Sequence, residues 1–314
     1  MRKITIVGAG RVGESTAQAV AHAEHVHEIA LIDIRQGVAA GTALDIQESG
    51  KMFRFDTRLV GSHENGIMEG SDLIVITAGL PRKPGMSRSD VLDANLEVIL
   101  GLVPDVQRYA PDATVILVTN PVDIMTYAFR KAIGWDRHRV FGLAGVLDAA
   151  RMAAFIAMET GYSIKDIATM VLGGHGDSMV PMTRFTTISG IPISHFMEPP
   201  VIEKIIDRTR QGGAEILALK QTSSANDSPA ASITVMIDAM VHNRKRILPC
   251  VAHLDGEYGE RDIAIGVPVV LGVEGVHDII ELELNPVETA MFQKSIEQVR
   301  ADLVEANLSA KIPG

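Results

Sequence analysis

The sequence contains a single cysteine, Cys250. One thiol excludes an intramolecular disulfide and any cysteine cage around a metal, and it fits a reducing compartment. Cys250 sits between Pro249 and Val251 in an apolar run, which reads as an inert core thiol. Long apolar runs are missing too. The longest without a charge, residues 263–273, is about half the ~20 residues that a membrane-spanning helix needs. Arg2 and Lys3 precede an apolar stretch, as in a secretory signal, but Arg11 interrupts it too early. The expectation is a cytoplasmic protein with no membrane partner. Positive charge is also scarce: 29 Lys and Arg against 39 Asp and Glu give a net charge of −10. Such a chain is a poor general binder of nucleic acid, although a few buried arginines can still build a local anion site.

What is present describes a folded enzyme-sized chain. Hydrophobic residues make up 46% and charged residues 22%, which excludes a mostly disordered chain. The 314 residues suit two domains of about 150 each. In the first half, apolar strands over 4–7, 29–32, 73–76 and 115–118 alternate with helical patterns over 14–24, 38–47 and 89–109. Continuous apolar strands separated by helices imply an α/β fold, a Rossmann-type doubly wound parallel sheet covered on both faces. Beyond about residue 145 the pattern changes to mixed α+β. Helices are expected over 148–160, 200–219, 230–242 and 286–308, with strands over 246–254 and 263–271. The expected division is a dinucleotide-binding domain over 1–145 and a substrate domain over 146–314.

The segment Gly8-Ala9-Gly10-Arg11-Val12-Gly13 is a GxGxxG pattern that follows a strand and opens a helix. Gly8 permits the tight turn, Gly10 lets a pyrophosphate approach the backbone, and Gly13 lets the helix pack on the strand. The helix N-terminus then faces the phosphates with free N–H groups. Asp33 follows Gly13 by 20 residues, at the end of the second strand. A carboxylate there accepts hydrogen bonds from a ribose diol and repels a 2′-phosphate, which favours NAD over NADP. Arg35 nearby is a counter-signal.

Three more segments put polar groups where this fold places its site. Residues 79–88 hold two glycines, two prolines and the cations Arg82, Lys83 and Arg88, so they form an irregular basic loop able to close over an anion. Asn120 ends the fourth strand, and Pro121 suits the first turn of the next helix. Asp148 and Arg151, three apart, share a helix face. His175 stands among glycines in residues 172–177, where an imidazole can exchange a proton near neutral pH if a carboxylate orients it. Asp148 can do so from across a cleft, and Asp177 is a rival partner.

These residues together resemble the malate dehydrogenases of the lactate-dehydrogenase-like group, from Gly8 through the helix after Pro286. The most specific pieces are GLPRKPGMSR, TNPVD, GVLDAAR and GGHGD. The resemblance implies an NAD-dependent enzyme that interconverts malate and oxaloacetate, a place in the tricarboxylic acid cycle, and a homotetramer, with a dimer as the alternative. It implies that His175 takes the substrate's hydroxyl proton, with Asp148 as its partner. Arg151 would clamp the α-carboxylate, Arg88 would polarise the reacting carbonyl, and Arg82 would bind the second carboxylate. Asn120 would touch substrate and nicotinamide. Asn95, Val118 and Thr119 would lie along the NAD. It further implies a cis bond between Asn120 and Pro121. A lactate dehydrogenase is the rival within this class, and a non-catalytic NAD-binding module the rival outside it.

One segment departs from the pattern. Asn226 and Asp227 stand where such proteins usually carry two aromatics, in a wall of the substrate pocket. A last cluster, His22, His25 and His27, lies near the end of the first helix. It reads as a solvated helix end, where histidine suits the dipole, rather than as a metal site.

Overall fold

The computed structural model describes residues 1–80, 88–221 and 223–312, with side chains for all of these except 88, 309 and 310. Six strands of the first half are β1 (Lys3–Val7), β2 (Glu28–Ile32), β3 (Arg58–Ser62), β4 (Leu73–Ile76), β5 (Thr114–Leu117) and β6 (Val140–Leu143). All pair in parallel, in the spatial order 3-2-1-4-5-6. Helices α1 (Arg11–His22), α2 (Val38–Phe53), α3 (Arg88–Gly101), α4 (Val103–Tyr109) and α5 (Val122–Ile133) make the crossovers. β4 and β5 are buried along their whole length, as strands covered on both faces must be.

This order reverses between β1 and β4. The chain leaves β1 toward β2 on one side and leaves β4 toward β5 on the other. A crevice opens outside the carboxyl ends of the strands at that reversal, and the segments after Val7, Ile76 and Leu117 form its walls.

The second half, mixed α+β as expected, also adds strands to this sheet. Its long strands β7 (Arg246–Asp255) and β8 (Arg261–Gly272), with β9 (Gly275–Ile279), extend the same sheet to nine strands. β7 runs antiparallel to β6, pairing Cys250 with Leu143 and Val251 with Gly142. Helices α6 (Gly145–Thr160), α7 (Pro199–Lys220), α8 (Asp227–Val241) and α9 (Pro286–Glu305) complete the second half. Cys250 is fully buried at the seam, and burial pushes its thiol far above the ordinary range. It is the inert core thiol expected.

Other differences have local causes. The helix expected over 89–109 is two helices, α3 and α4. Pro104 falls in the first turn of α4 and has no N–H to continue the ladder from α3. β3 and β9 escaped the sequence reading because they lie at or next to a sheet edge and carry exposed polar residues. α9 stops at Glu305, earlier than expected, and a short helix, Leu308–Lys311, follows.

The seam between β6 and β7 has room for no extra atom at Gly142. A Cβ there would lie 2.5 Å from Thr126 Oγ1 and 2.9 Å from Val122 Cγ2, both on α5. Gly142→Ala should therefore cost about 1–3 kcal/mol of stability, as overpacking of a filled core does. Urea melts of the two proteins check this, and an unchanged midpoint would show that the seam is looser than described.

Candidate active site

The glycine segment after β1 has the shape a dinucleotide requires. Gly8 has φ +106°, and a Cβ on it would meet Ala78 N at 2.7 Å. A Cβ on Gly13 would sit 1.9 Å from Gly8 O, so no larger residue lets α1 start this close to the strand. Around Gly10 there is nothing within 4 Å of the same position, which leaves an open approach to the backbone. The three glycines thus divide the work as the spacing implied. Arg11 is exposed, and its guanidinium reaches Ser223 Oγ at 3.4 Å.

Asp33 is buried at the end of β2 and accepts the N–H of Ala9 at 3.1 Å. Its carboxylate also receives Arg35, from Nε at 2.9 Å and Nη2 at 3.0 Å. Hydrogen bonds from Arg35 hold the Asp33 carboxyl below its ordinary range. Arg35 is thus a neutralising partner of Asp33, and its side chain is exposed.

The far wall is built by the segments after β4 and β5. Thr119 donates to Ala78 O at 2.6 Å. Asn95, on α3, is buried, accepts the N–H of Leu80 at 2.7 Å, and donates to Asn120 O at 2.8 Å. It ties the two segments together. Asn120 itself is exposed to the crevice, and its bond to Pro121 is cis. Arg82 lies outside the described residues, as does the side chain of Arg88, which opens α3.

His175 and Asp148 meet. The imidazole Nδ1 is 2.9 Å from Asp148 Oδ2, and Arg151 donates to Asp148 Oδ1 at 3.3 Å. Asp148 is fully buried in the first turn of α6, where the positive helix end favours a carboxylate. Asp177 makes no such contact with the ring. Of the two partners the sequence offered, only Asp148 is engaged. Burial lowers the basicity of His175, but Asp148 and, further off, Asp123 outweigh it, so the imidazole is held above its ordinary value. The ring borders two adjoining clefts of about 770 and 360 Å³, and the smaller is also walled by Val12, Val118, Asn120 and Arg151. A bound small anion there would meet the Arg151 fork on one side and the unbonded Nε2 of His175 on another.

The cofactor-side and anion-side residues thus share one crevice. Models of the lactate/malate dehydrogenase NAD-binding domain and of the lactate/malate dehydrogenase alpha/beta C-terminal domain match residues 2–142 and 145–308. The chain belongs to the lactate/malate dehydrogenase family. It is 60% identical over 303 residues to a malate dehydrogenase of Nitrosococcus oceani, covering 96% of this chain and 97% of that one. Its structure is similar to that of the malate dehydrogenase from Salinibacter ruber, with a TM-score of 0.93, 42% identity and 97% of both chains covered. It is also similar to a lactate dehydrogenase from Cryptosporidium parvum complexed with lactic acid and nicotinamide adenine dinucleotide. There the TM-score is 0.94 and the identity 35%, over 98% of both chains.

The structure also gives a place to residues that the sequence reading passed over. His175 is held by its backbone as well as by its ring. Gly173 exchanges hydrogen bonds with Gly266 of β8, at 2.9 and 3.2 Å. Gly174 donates to Ser295 Oγ of α9 at 2.8 Å, and His175 donates its backbone N–H to Asp123 Oδ2 at 2.9 Å. Asp123 is buried in the first turn of α5, and burial pushes its carboxyl up to about 6. It was visible only as the last letter of TNPVD. A signal did exist, since a carboxylate inside the apolar face of a helix needs a partner.

The His175 N–H depends on that one acceptor. Asp123→Ala should leave it unsatisfied and cost about 1–3 kcal/mol, with a matching loss of turnover as the histidine segment loosens. Asp123→Asn keeps an oxygen in place and should cost at most half as much. Parallel urea melts and steady-state rates decide this, and equal losses in both variants would show that the acceptor is not what matters.

Proposed function

We propose that this chain is an NAD-dependent malate dehydrogenase, interconverting malate and oxaloacetate, with His175 as the proton-carrying group. The observation that carries the reading is the buried Asp148, shared between the His175 imidazole and the Arg151 guanidinium at the wall of the dinucleotide crevice. The glycine segment and Asp33 fit NAD, which when bound supplies the hydride acceptor. Arg151 holds the α-carboxylate and fixes the substrate so that its hydroxyl faces His175 Nε2. His175 accepts that hydroxyl proton as malate is oxidised and returns it in the reverse direction. Asp148 keeps the ring oriented and stabilises its charged form. Arg88 polarises the carbonyl, Arg82 meets the second carboxylate, and Asn120, Asn95, Val118 and Thr119 line the nicotinamide side.

This reading divides the work near residue 145, with 1–145 holding the cofactor and 146–314 the substrate. It takes the chain to act in the cytoplasm, within the tricarboxylic acid cycle, as a homotetramer or a dimer. An oligomer is supported by Leu44, Met52 and Phe53, which leave large apolar side chains exposed along α2. Among the described residues no helix is long and apolar enough to cross a membrane.

The imidazole is held above its ordinary value of 6.5, so its protonated form persists to higher pH. Oxaloacetate reduction uses that form, so its kcat/KM should hold to a higher pH than an ordinary imidazole allows and fall above that. Malate oxidation uses the free base and should fall as pH drops through the same point. Asp148→Asn removes the main raising charge, so the titration should move to lower pH. Reduction at pH 7.5 should then drop by about 10²–10⁴-fold. A pH–rate profile of both directions tests this, and an unmoved profile in Asp148→Asn would sink the pairing.

Arg82 gives a separate test of substrate choice. With oxaloacetate, loop closure pairs Arg82 with the second carboxylate. With pyruvate, it would be buried against a methyl group, at a cost of about 2–5 kcal/mol. The wild type should therefore prefer oxaloacetate by about a thousandfold in kcat/KM. Arg82→Gln should remove most of that preference, mainly through lost oxaloacetate activity. Comparable wild-type rates with the two substrates would defeat the malate reading.

A further inference from the structure

The three clustered histidines part company in the fold. His22 stacks on Phe53 with ring centroids 4.2 Å apart, and His27 is exposed. His25, just past the end of α1, turns instead toward the end of α8. Its ring packs edge-on to His242 at 5.4 Å, and its Nε2 lies 3.9 Å from Asp238 Oδ1. His242 Nδ1 approaches the same oxygen at 3.1 Å. Asp238 and His242 are four apart, one helical turn, so they present their heads on one side of α8.

We propose that His25, Asp238 and His242 form a binding site for a divalent transition ion such as Zn²⁺, stapling the end of α1 to the end of α8. Their three ligand atoms lie within 4.8 Å of one another. Tetrahedral zinc with bonds of about 2.0–2.2 Å needs ligand atoms about 3.4 Å apart, so the side chains must close in by up to about 1.4 Å to complete the site. Two imidazoles and one carboxylate select a borderline ion rather than Mg²⁺ or Ca²⁺, and the exposed side of His242 leaves a fourth position to water.

The position of His25 supports this. Its side chain is only 12% exposed, and its Nε2 faces Asp238 Oδ1 from beyond hydrogen-bond distance, which leaves that nitrogen available as a ligand. Burial also lowers its basicity, so it offers a neutral ring at physiological pH. The carboxylate already holds a cation. Arg244 donates to Asp238 Oδ2 from Nε at 2.7 Å and to Oδ1 from Nη2 at 3.1 Å. Its side chain is half-exposed and free to leave Oδ1 when a metal ion arrives. The position is remote from the crevice, but it joins two helices whose other ends reach it. α1 begins beside Gly10, and α8 begins at Asp227, next to the crevice residues Ala225 and Pro229.

The test uses the full chain, stripped of metal with a chelator. Zn²⁺ titrated by calorimetry should bind at one site per chain, and Co²⁺ should give the visible ligand-field bands of a tetrahedral site. Zn²⁺ at about a hundredfold over its Kd should raise Tm by about 5 °C. His25→Gln and His242→Gln should each weaken binding at least tenfold and abolish the Tm shift, while NADH binding shows that both variants fold. Arg244→Ala should tighten binding severalfold, because the competing cation is gone. Absence of one-to-one binding overturns the proposal, as does wild-type affinity in either histidine variant. So does weaker binding in Arg244→Ala. None of these readouts depends on which substrate the enzyme takes.

Discussion

A carboxylate with almost no exposure to water organises this protein. Asp148 can be buried only because an imidazole and a guanidinium face its two oxygens and the first turn of α6 lies behind it. Each of those partners has to arrive from a different place. Arg151 comes from the next turn of the same helix, and His175 comes from a segment fastened to β8, α9 and α5. The fold beyond the sheet reads largely as the means of bringing that segment to that carboxylate. β7 and β8 continue the same sheet rather than forming a separate one. The bridge between Gly173 and Gly266 then ties the histidine segment to the β-strands that also carry the glycine turn.

The same geometry balances charge in a small space. Asp148 and Asp123 both lie near His175, and they raise its basicity while Arg151 lowers it. Asp123 in turn is pushed up to about 6, by burial above all and by the neighbouring Asp148 charge. Asp123 and the ring are coupled to each other, so an apparent pKa seen in rates does not belong to His175 alone. A dicarboxylate entering this site brings negative charge that Arg151 and, in the proposed reaction, the loop cations must meet.

The local parts of this site were legible in the sequence, because they depend on spacing along the chain. Gly8, Gly10 and Gly13 follow a rule about a strand, a turn and a helix start. Asp148 and Arg151 follow the helical repeat. The pairing of His175 with Asp148 was legible only as one of two choices, since 27 residues separate them and Asp177 was nearer in sequence. The partners of Asp123, Ser295 and Gly266 were not legible. These three residues act on the backbone of the histidine segment from three distant elements, and nothing in their own neighbourhoods says which N–H they will meet. The sheet extension was hidden for the same reason. Cys250 and Val251 look like any apolar strand until Leu143 and Gly142 are beside them.

The segment that departs from the family pattern shows how such a change can be absorbed. Where the resemblance implied two aromatics, Asn226 donates to Ser15 Oγ of α1 at 3.1 Å and to Asp227 Oδ1 at 2.7 Å, and it accepts from Lys220 at 2.9 Å. Aromatic rings would hold the starts of α1 and α8 together by buried area. Here hydrogen bonds and a nearby charge do so, with partners drawn from α7, α8 and α1. Such contacts are worth about 0.5–1.5 kcal/mol each and are directional, whereas apolar burial is not. The wall beside Ala225 and Pro229 is therefore fixed in orientation more than in depth. That suits the proposed dicarboxylate substrate, whose recognition in that reading rests on the placement of cations rather than on apolar contact.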